Sequence, residues 1–193
     1  VYRTLVTKYV RALPWERIQF FQMDEWEGLG AADPRSFAHE LRQSLAEPLG
    51  MRAVYIEHTD IAALLETEES LLRSGGFDFA LHGIGENGHV GFNEPPGNAE
   101  GTAANVSLAE ETRRPAEPRF APSAPPLRGI TLGLRSLTTA KETLVLAKGP
   151  KKANAVAAML RPAHESCPAS FLANERATIL LDEAAFARVK ATP

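Results

Sequence analysis

The sequence predicts an α/β fold: a doubly wound, mostly parallel sheet with helices on both faces, Rossmann-like in layout. Three observations predict it. Short apolar runs alternate with helix-length amphipathic segments, glycines and prolines fall between them, and 193 residues are enough for one domain. A chain of this length buries roughly 70% of the surface its unfolded form exposes, so it needs no metal or disulfide to fold.

Val1, Leu5, Val6, Tyr9 and Val10 fall near helical spacing, and Leu13 closes the stripe before Pro14. No initiator methionine and no charged-then-apolar leader precede them, so the first elements of the domain are expected to be missing. Ile18 to Met23 is short, apolar and aromatic, as a buried strand should be. Asp33-Pro34 supplies an N-cap and an N1 proline for a helix carrying Phe37, Leu41 and Leu45 and ending before Pro48. Ala53 to Ile56 is a strand candidate. Asp60 caps a helix with Leu64, Leu65, Leu71 and Leu72, which Gly75-Gly76 can close in the left-handed conformation. Phe77 to Leu81 is the next strand.

Regular alternation then stops. Residues 85–127 read as a long loop with a short strand near Val106, and 95–127 as a lid over a single domain spanning 1–193. Pro115, Pro118, Pro122, Pro125 and Pro126 exclude a helix interior or a central strand there. Strands resume near Gly129 to Leu134, Thr143 to Ala147 and Thr178 to Leu181. One helix lies between them from Pro150 to Leu160, and another begins near Asp182.

Charge and composition narrow the functional classes. Lys and Arg total 21 against 24 Asp and Glu, a net charge of −3, which argues against a phosphate-neutralising nucleic-acid surface. No apolar run is long enough to span a membrane. The single cysteine, Cys167, permits no internal disulfide and no thiolate cluster for zinc. It fits a reducing cytoplasm. No metal and no cofactor is implied.

The most informative stretch runs from Leu81 to Pro95. Gly83, Gly85 and Gly88 satisfy the G-x-G-x-x-G spacing of a dinucleotide fingerprint. That fingerprint requires a helix directly after the third glycine, and Gly91, Asn93, Pro95, Pro96 and Gly97 make one implausible. The alternative is that the glycines let the backbone approach a small ligand while His89 and Glu94 project into the same cavity. Histidine suits proton transfer near neutral pH, and a neighbouring carboxylate fixes its tautomer. Asp24 stands where a strand gives way to a Gly-containing loop, the place where this architecture presents reactive groups.

These residues resemble a known family. Gly83 to Pro95 is similar to the signature of glucosamine-6-phosphate deaminases, also called isomerases. Met23-Asp24-Glu25-Trp26 with Gly28-Leu29, Asp33 to Phe37, and Pro168 to Leu172 resemble further segments in the same order. Asn93-Glu94-Pro95 favours this branch over the related 6-phosphogluconolactonases. Asp24 to Trp26 and Arg128 to Leu134 also resemble galactosamine-6-phosphate deaminases, which leaves the sugar epimer open.

The resemblance implies an enzyme that converts an amino-sugar phosphate and water to a ketose phosphate and ammonia. Asp24 would carry the proton between C2 and C1, and His89, oriented by Glu94, would open the ring. Asn87 stands where the family often has an aspartate; it can hold the imidazole but accepts no proton. Gly83, Gly85 and Lys152 would bind the substrate, with Lys152 on its phosphate. Arg119 resembles a lid arginine on the same phosphate, with Arg113 or Arg114 as alternatives. Glu25 is either a partner of the site or a solvated residue. His39, His58 and His164 lie outside any motif, and His82 should point away from the site because side chains alternate along a strand. The family's phosphate loop lies ahead of the first helix and has no counterpart here. The competing readings are a sugar-phosphate-binding module without catalysis and a lactonase. The partner is a small amino-sugar phosphate rather than nucleic acid or membrane, and a homo-oligomer is left open.

Overall fold

A computed structural model describes residues 1–56 and 60–189. His58 lies outside the described residues. The first helix, α1 (Tyr2–Tyr9), lays Tyr2, Leu5 and Val6 against Trp15, Leu45 and Leu49. Val1, Tyr9, Val10 and Leu13 remain exposed, so only part of the expected apolar stripe meets the body of the protein.

The predicted strand at 18–23 divides in two. β1 (Gln19–Phe21) pairs in parallel with β3 (Arg52–Val54), and β2 (Asp24–Trp26) turns away to pair antiparallel with β6 (Arg128–Thr131). Gln22 is the joint between them. Its amide nitrogen donates to Asp24 O and Glu25 Oε2, and its Oε1 accepts from Ile56 N at 3.0 Å.

Helix α2 (Phe37–Leu41) runs through a π-helical turn, Arg42–Ala46, into α3 (Glu47–Leu49), and Gly50 ends it at φ 64°. Its N-cap is Ser36, whose hydroxyl accepts from His39 N at 2.9 Å, and not the expected Asp33. That carboxylate is occupied by the backbone N–H and guanidinium of Arg35, at 2.7–3.0 Å. The open N–H groups of Phe37 and Ala38 are taken by the buried carboxylate of Glu25, at 3.1 and 2.9 Å. Glu25 is therefore neither solvated nor facing the site: it fastens β2 to the start of α2.

Asp60 caps α4 (Ile61–Arg73) through Ala62 N and Ala63 N, as the sequence predicts, and Gly75 and Gly76 follow at φ 101° and 79°. Glu68, fully buried on α4, accepts from Ala103 N, Gly133 N and Ser136 Oγ at 2.6–2.8 Å. A buried carboxylate is tolerated there because three donors replace its water.

The larger parallel sheet is β4 (Phe79–Gly83), β7 (Glu142–Ala147) and β8 (Ala177–Leu181), ordered β4-β7-β8. The antiparallel part is β2-β6-β5, with β5 (Ala104–Ser107) close to the strand expected near Val106. Three of the five strand pairings among the described residues are parallel. The observed fold is thus mixed but mostly parallel, in three small sheets where one was expected.

The proline-rich stretch holds two one-turn helices, α5 (Glu110–Arg113) and α6 (Glu117–Phe120), joined by a 3₁₀ turn. Pro115 and Pro118 sit in first turns, where the missing N–H costs nothing. Beyond β6, α7 (Leu134–Leu137) precedes β7, α8 (Ala153–Met159) follows it, and α9 (Glu183–Phe186) starts at its cap Asp182. The main core gathers Val90, Ile130, Leu132, Val145, Val156 and Met159. A second cluster stacks Trp26 on Phe37, Phe92 and Phe120 at ring separations of 4.9–5.6 Å, tying β2, α2 and α6 to the glycine-rich turn.

Candidate active site

The glycine-rich turn leaves β4 at Gly83 and does not become a helix. Val90 and Asn93 form an isolated antiparallel bridge instead, the geometry that the prolines and glycines after Gly88 require. Two of its glycines make room for protein groups. An ideal Cβ on Gly85 would lie 2.5 Å from His89 Cγ, so the imidazole packs over that glycine. Gly88, at φ 88°, would meet Cys167 Sγ at 2.7 Å. Gly83 alone has open space where a Cβ would be. The absence of a side chain at Gly85 is thus explained by the imidazole that packs over it.

Hydrogen bonds determine how His89 is held. Asn87 Nδ2 donates to Glu94 Oε2 at 2.8 Å, which fixes the orientation of the amide. Asn87 Oδ1 then faces His89 N at 3.1 Å and His89 Nδ1 at 2.8 Å. An amide oxygen only accepts, so Nδ1 carries the ring proton and Nε2 is the bare nitrogen. Glu94 Oε2 lies 3.6 Å from Nδ1, close enough to favour a second proton on the ring. Burial and the charge of Lys152 oppose it, and the net effect holds His89 below the usual histidine range. At neutral pH the ring is an uncharged proton acceptor.

Asp24 opens β2 opposite Thr131. Thr131 Oγ1 also accepts from Phe92 N and Asn93 Nδ2 at 3.3 Å, and an ideal Cβ on Gly91 would stand 3.1 Å from both Met23 Sδ and Thr131 Oγ1. The turn bearing His89 is therefore packed against the residues flanking Asp24. Among the described residues the Asp24 carboxylate has no hydrogen-bond partner; burial, reinforced by the charge of Glu25, pushes its pKa up to about 7. A carboxyl group with that value can both take and return a proton at neutral pH.

Lys152 ends the 3₁₀ turn Pro150–Lys152 ahead of α8, and burial lowers its ammonium from the usual lysine range. Glu86 in the glycine-rich turn lies 3.7 Å from Lys151 Nζ and 3.6 Å from Arg114 Nη2. Arg119 is occupied elsewhere. It donates to Arg35 O, pairs with Glu40 and stacks on Phe37, with its guanidinium carbon 5.1 Å from the ring centroid. Of the arginines considered, Arg114 is the one that the structure ties to the lysine turn.

Sequence reasoning missed three participants. Thr112 places Oγ1 2.8 Å from His89 Nδ1, Ala109 N donates to Glu94 Oε1 at 3.0 Å, and Thr131 braces the turn. None lies in a motif, and their contacts span 15 to 39 residues, so no local pattern could have signalled them. His82 is buried in β4 with neither ring nitrogen hydrogen-bonded, and burial lowers its pKa to about 4. His39 and His164 make local contacts with Ala31 O and Ser166 Oγ. Among the described residues no group of three or more His, Cys, Asp or Glu is arranged to hold a metal, and no helix is long and apolar enough to cross a membrane.

This is an α/β protein whose strand ends present a carboxyl group and a neutral imidazole beside a cationic turn. Residues 1–181 match the family described as glucosamine-6-phosphate isomerases/6-phosphogluconolactonase. A glucosamine-6-phosphate deaminase of Streptomyces coelicolor is 36% identical over 98% of this chain and 77% of its own. That of Pseudarthrobacter chlorophenolicus is 32% identical over the same shares, 98% and 77%. Among solved structures, a monomeric glucosamine-6-phosphate deaminase superposes with a TM-score of 0.88 at 30% identity, covering 97% of this chain and 82% of its own. A 6-phosphogluconolactonase from Leishmania guyanensis, 21% identical with a TM-score of 0.74 over 98% and 81% of the two chains, shares the fold. The chain belongs to the glucosamine-6-phosphate isomerase/6-phosphogluconolactonase family.

Proposed function

We propose that this protein deaminates glucosamine 6-phosphate, producing fructose 6-phosphate and ammonia with consumption of one water. The observation that carries the reading is the hydrogen-bonded placement of His89, which leaves a neutral Nε2 beside the segment that holds Asp24. Nε2 takes the proton of the anomeric hydroxyl and returns one to the ring oxygen as the C1–O5 bond breaks, opening the pyranose. In the aldehyde, the Asp24 carboxylate removes the proton from C2 while O1 takes one from the substrate's ammonium group, which gives an enolamine. Asp24, now the acid, delivers its proton to C1 and turns the enolamine into a C2 iminium. Water adds to C2 as the C2–N bond breaks, releasing ammonia and leaving the ketone. A base that must act twice is best matched by a pKa near the working pH, which burial gives Asp24.

The phosphate is assigned to Lys152 at the start of α8. A cation at a helix N-terminus opposes the positive end of the dipole, and a bound anion relieves that conflict. Arg114 is proposed for the same phosphate because Glu86 lies 3.6 Å from Arg114 Nη2 and 3.7 Å from Nζ of Lys151, the neighbour of Lys152. Cys167, buried and without a disulfide partner among the described residues, supports work in the reducing cytoplasm.

Replacing Asp24 by Asn keeps the shape and removes the base. Ammonia release is expected to fall by about 10²–10⁴-fold, the usual worth of a general base, with substrate binding measured by calorimetry retained. Wild-type turnover in Asp24→Asn would end the assignment. Assaying galactosamine 6-phosphate and 6-phosphogluconolactone in parallel decides the substrate within the family.

A further inference from the structure

A closed circuit of bonds runs through the candidate site. Glu94 Oε2 accepts from Asn87 Nδ2, and Asn87 Oδ1 accepts from His89 Nδ1. His89 Nδ1 also lies 2.8 Å from Thr112 Oγ1. Thr112 stands one turn beyond Ala109, whose O accepts from Thr112 N at 3.2 Å, and Ala109 N returns to Glu94 Oε1 at 3.0 Å. Glu94 thus fixes both neighbours of Nδ1: the amide oxygen directly, and the hydroxyl by pinning the start of α5. Thr112 is buried.

We propose that Thr112 is a positioning residue for the reaction: its hydroxyl is the second acceptor for the Nδ1 proton of His89, and it makes the docking of α5 a condition for a correctly held imidazole. The inference rests on the deaminase reading above. With a neutral amide at position 87, the charge that His89 acquires as it takes a proton is met only by groups around it. Glu94 faces it from its own turn at 3.6 Å, Lys152 opposes it from the turn after β7, and Glu86 lies beyond Lys152. A hydroxyl oxygen on Nδ1 adds an acceptor bond that strengthens when the ring becomes charged. Its lone pairs accept while its own proton stays free to donate elsewhere.

The test is Thr112→Val, which keeps the shape and removes the oxygen, with Thr112→Ser as the variant that restores it. Loss of one bond to a charged ring is expected to lower the His89 pKa by about one unit and kcat by about tenfold. The acidic limb of kcat/KM, which the higher-lying Asp24 sets near 7, should keep its position, and KM should change little. Thr112→Ser should return kcat and the His89 pKa to the wild-type values. The lowered His89 pKa should appear in the ¹⁵N titration of His89 in the substrate-free protein, a readout that does not depend on turnover. Should Thr112→Val not fold, Thr112→Ala, which also lacks the oxygen, carries the measurement. A slower variant whose ¹⁵N titration of His89 stays at the wild-type pH would overturn the proposal. Two controls keep the outcomes apart: if the wild-type protein releases no ammonia from glucosamine 6-phosphate, the deaminase reading fails, and if it does while His89→Gln is inactive and Thr112→Val titrates normally, only the role of Thr112 fails.

Discussion

Gly85→Ala should disable the site without disturbing the fold. Gly85 does not have a positive φ, so alanine meets no backbone penalty. The new methyl would stand 2.5 Å from His89 Cγ and nearer still to Nδ1 and Cε1. Carbon atoms pack comfortably at about 3.5 Å, so the ring must retreat by about 1 Å or more. Both bonds to Nδ1 are 2.8 Å long, and a displacement of that size along them takes them beyond hydrogen-bonding range. A misplacement of about 1 Å at a reacting group costs about 10²-fold in rate. Coupled ammonia release should therefore show kcat lowered by about two orders of magnitude, while circular dichroism and the melting temperature stay near the wild type. A Gly85→Ala enzyme within threefold of wild-type kcat would refute the placement of the imidazole over this glycine, and with it the reason the position lacks a side chain.

Two further predictions concern stability. Asp24 has a folded pKa near 7 against 3.8 for an exposed carboxyl; the folded protein therefore resists its ionisation. The penalty is absent below pH 3.8, grows between 3.8 and 7, and is fully present above 7. Asp24→Asn should accordingly raise the melting temperature, more at pH 8 than at pH 5, and an equal change at both would contradict a buried, unpaired carboxyl. His82 has the opposite sign: its folded pKa is near 4 and its reference value is 6.5. The unfolded chain binds the proton first, so stability is lost as pH falls from 6.5 to 4. His82→Leu, which removes two unpaired buried nitrogens, should stabilise by about 1 kcal/mol at pH 7 and flatten that acid-side loss in denaturant titrations.

The legible parts of the fold were those whose causes are local. Asp60 caps α4, Gly75-Gly76 ends it, and the apolar run beginning at Thr143 becomes β7, because in each case the deciding residues are neighbours in sequence. The misread parts were decided at a distance. Asp33 is as good a cap as Ser36 by type, yet Arg35 takes both of its oxygens and the helix starts after Ser36. The apolar run from Ile18 to Met23 reads as one strand, yet β1 and β2 pair with β3 and β6 in different sheets, since Gln22 satisfies backbone and side-chain groups on both sides of the break. Pro115 and Pro118 read as helix breakers and instead start helical turns, where a fixed φ helps and no N–H is required.

The same division separates what could be inferred of the site from what could not. Asn87, His89 and Glu94 lie within one turn, so their type and spacing point to a held imidazole, and the structure connects them by bonds of 2.8 Å. Glu25 next to Asp24 carries the same charge and no local mark of its duty. Four donors within 3.1 Å make it a structural carboxylate, whereas Asp24, one residue away, has none among the described residues and keeps a proton near neutral pH. Adjacent residues of a strand face opposite sides, and that single fact separates their chemistry. One carboxylate is aimed at helix N–H groups and held as a buried acceptor; the other is removed from water without a hydrogen-bond partner among the described residues, beside a turn that holds a neutral imidazole. Interchanging Asp24 and Glu25 in sequence would change neither the composition nor the charge of the segment. It would place a shorter side chain on the helix N–H groups and a longer one at the strand end, and the fastening of α2 and the position of the unpaired carboxyl would be lost together.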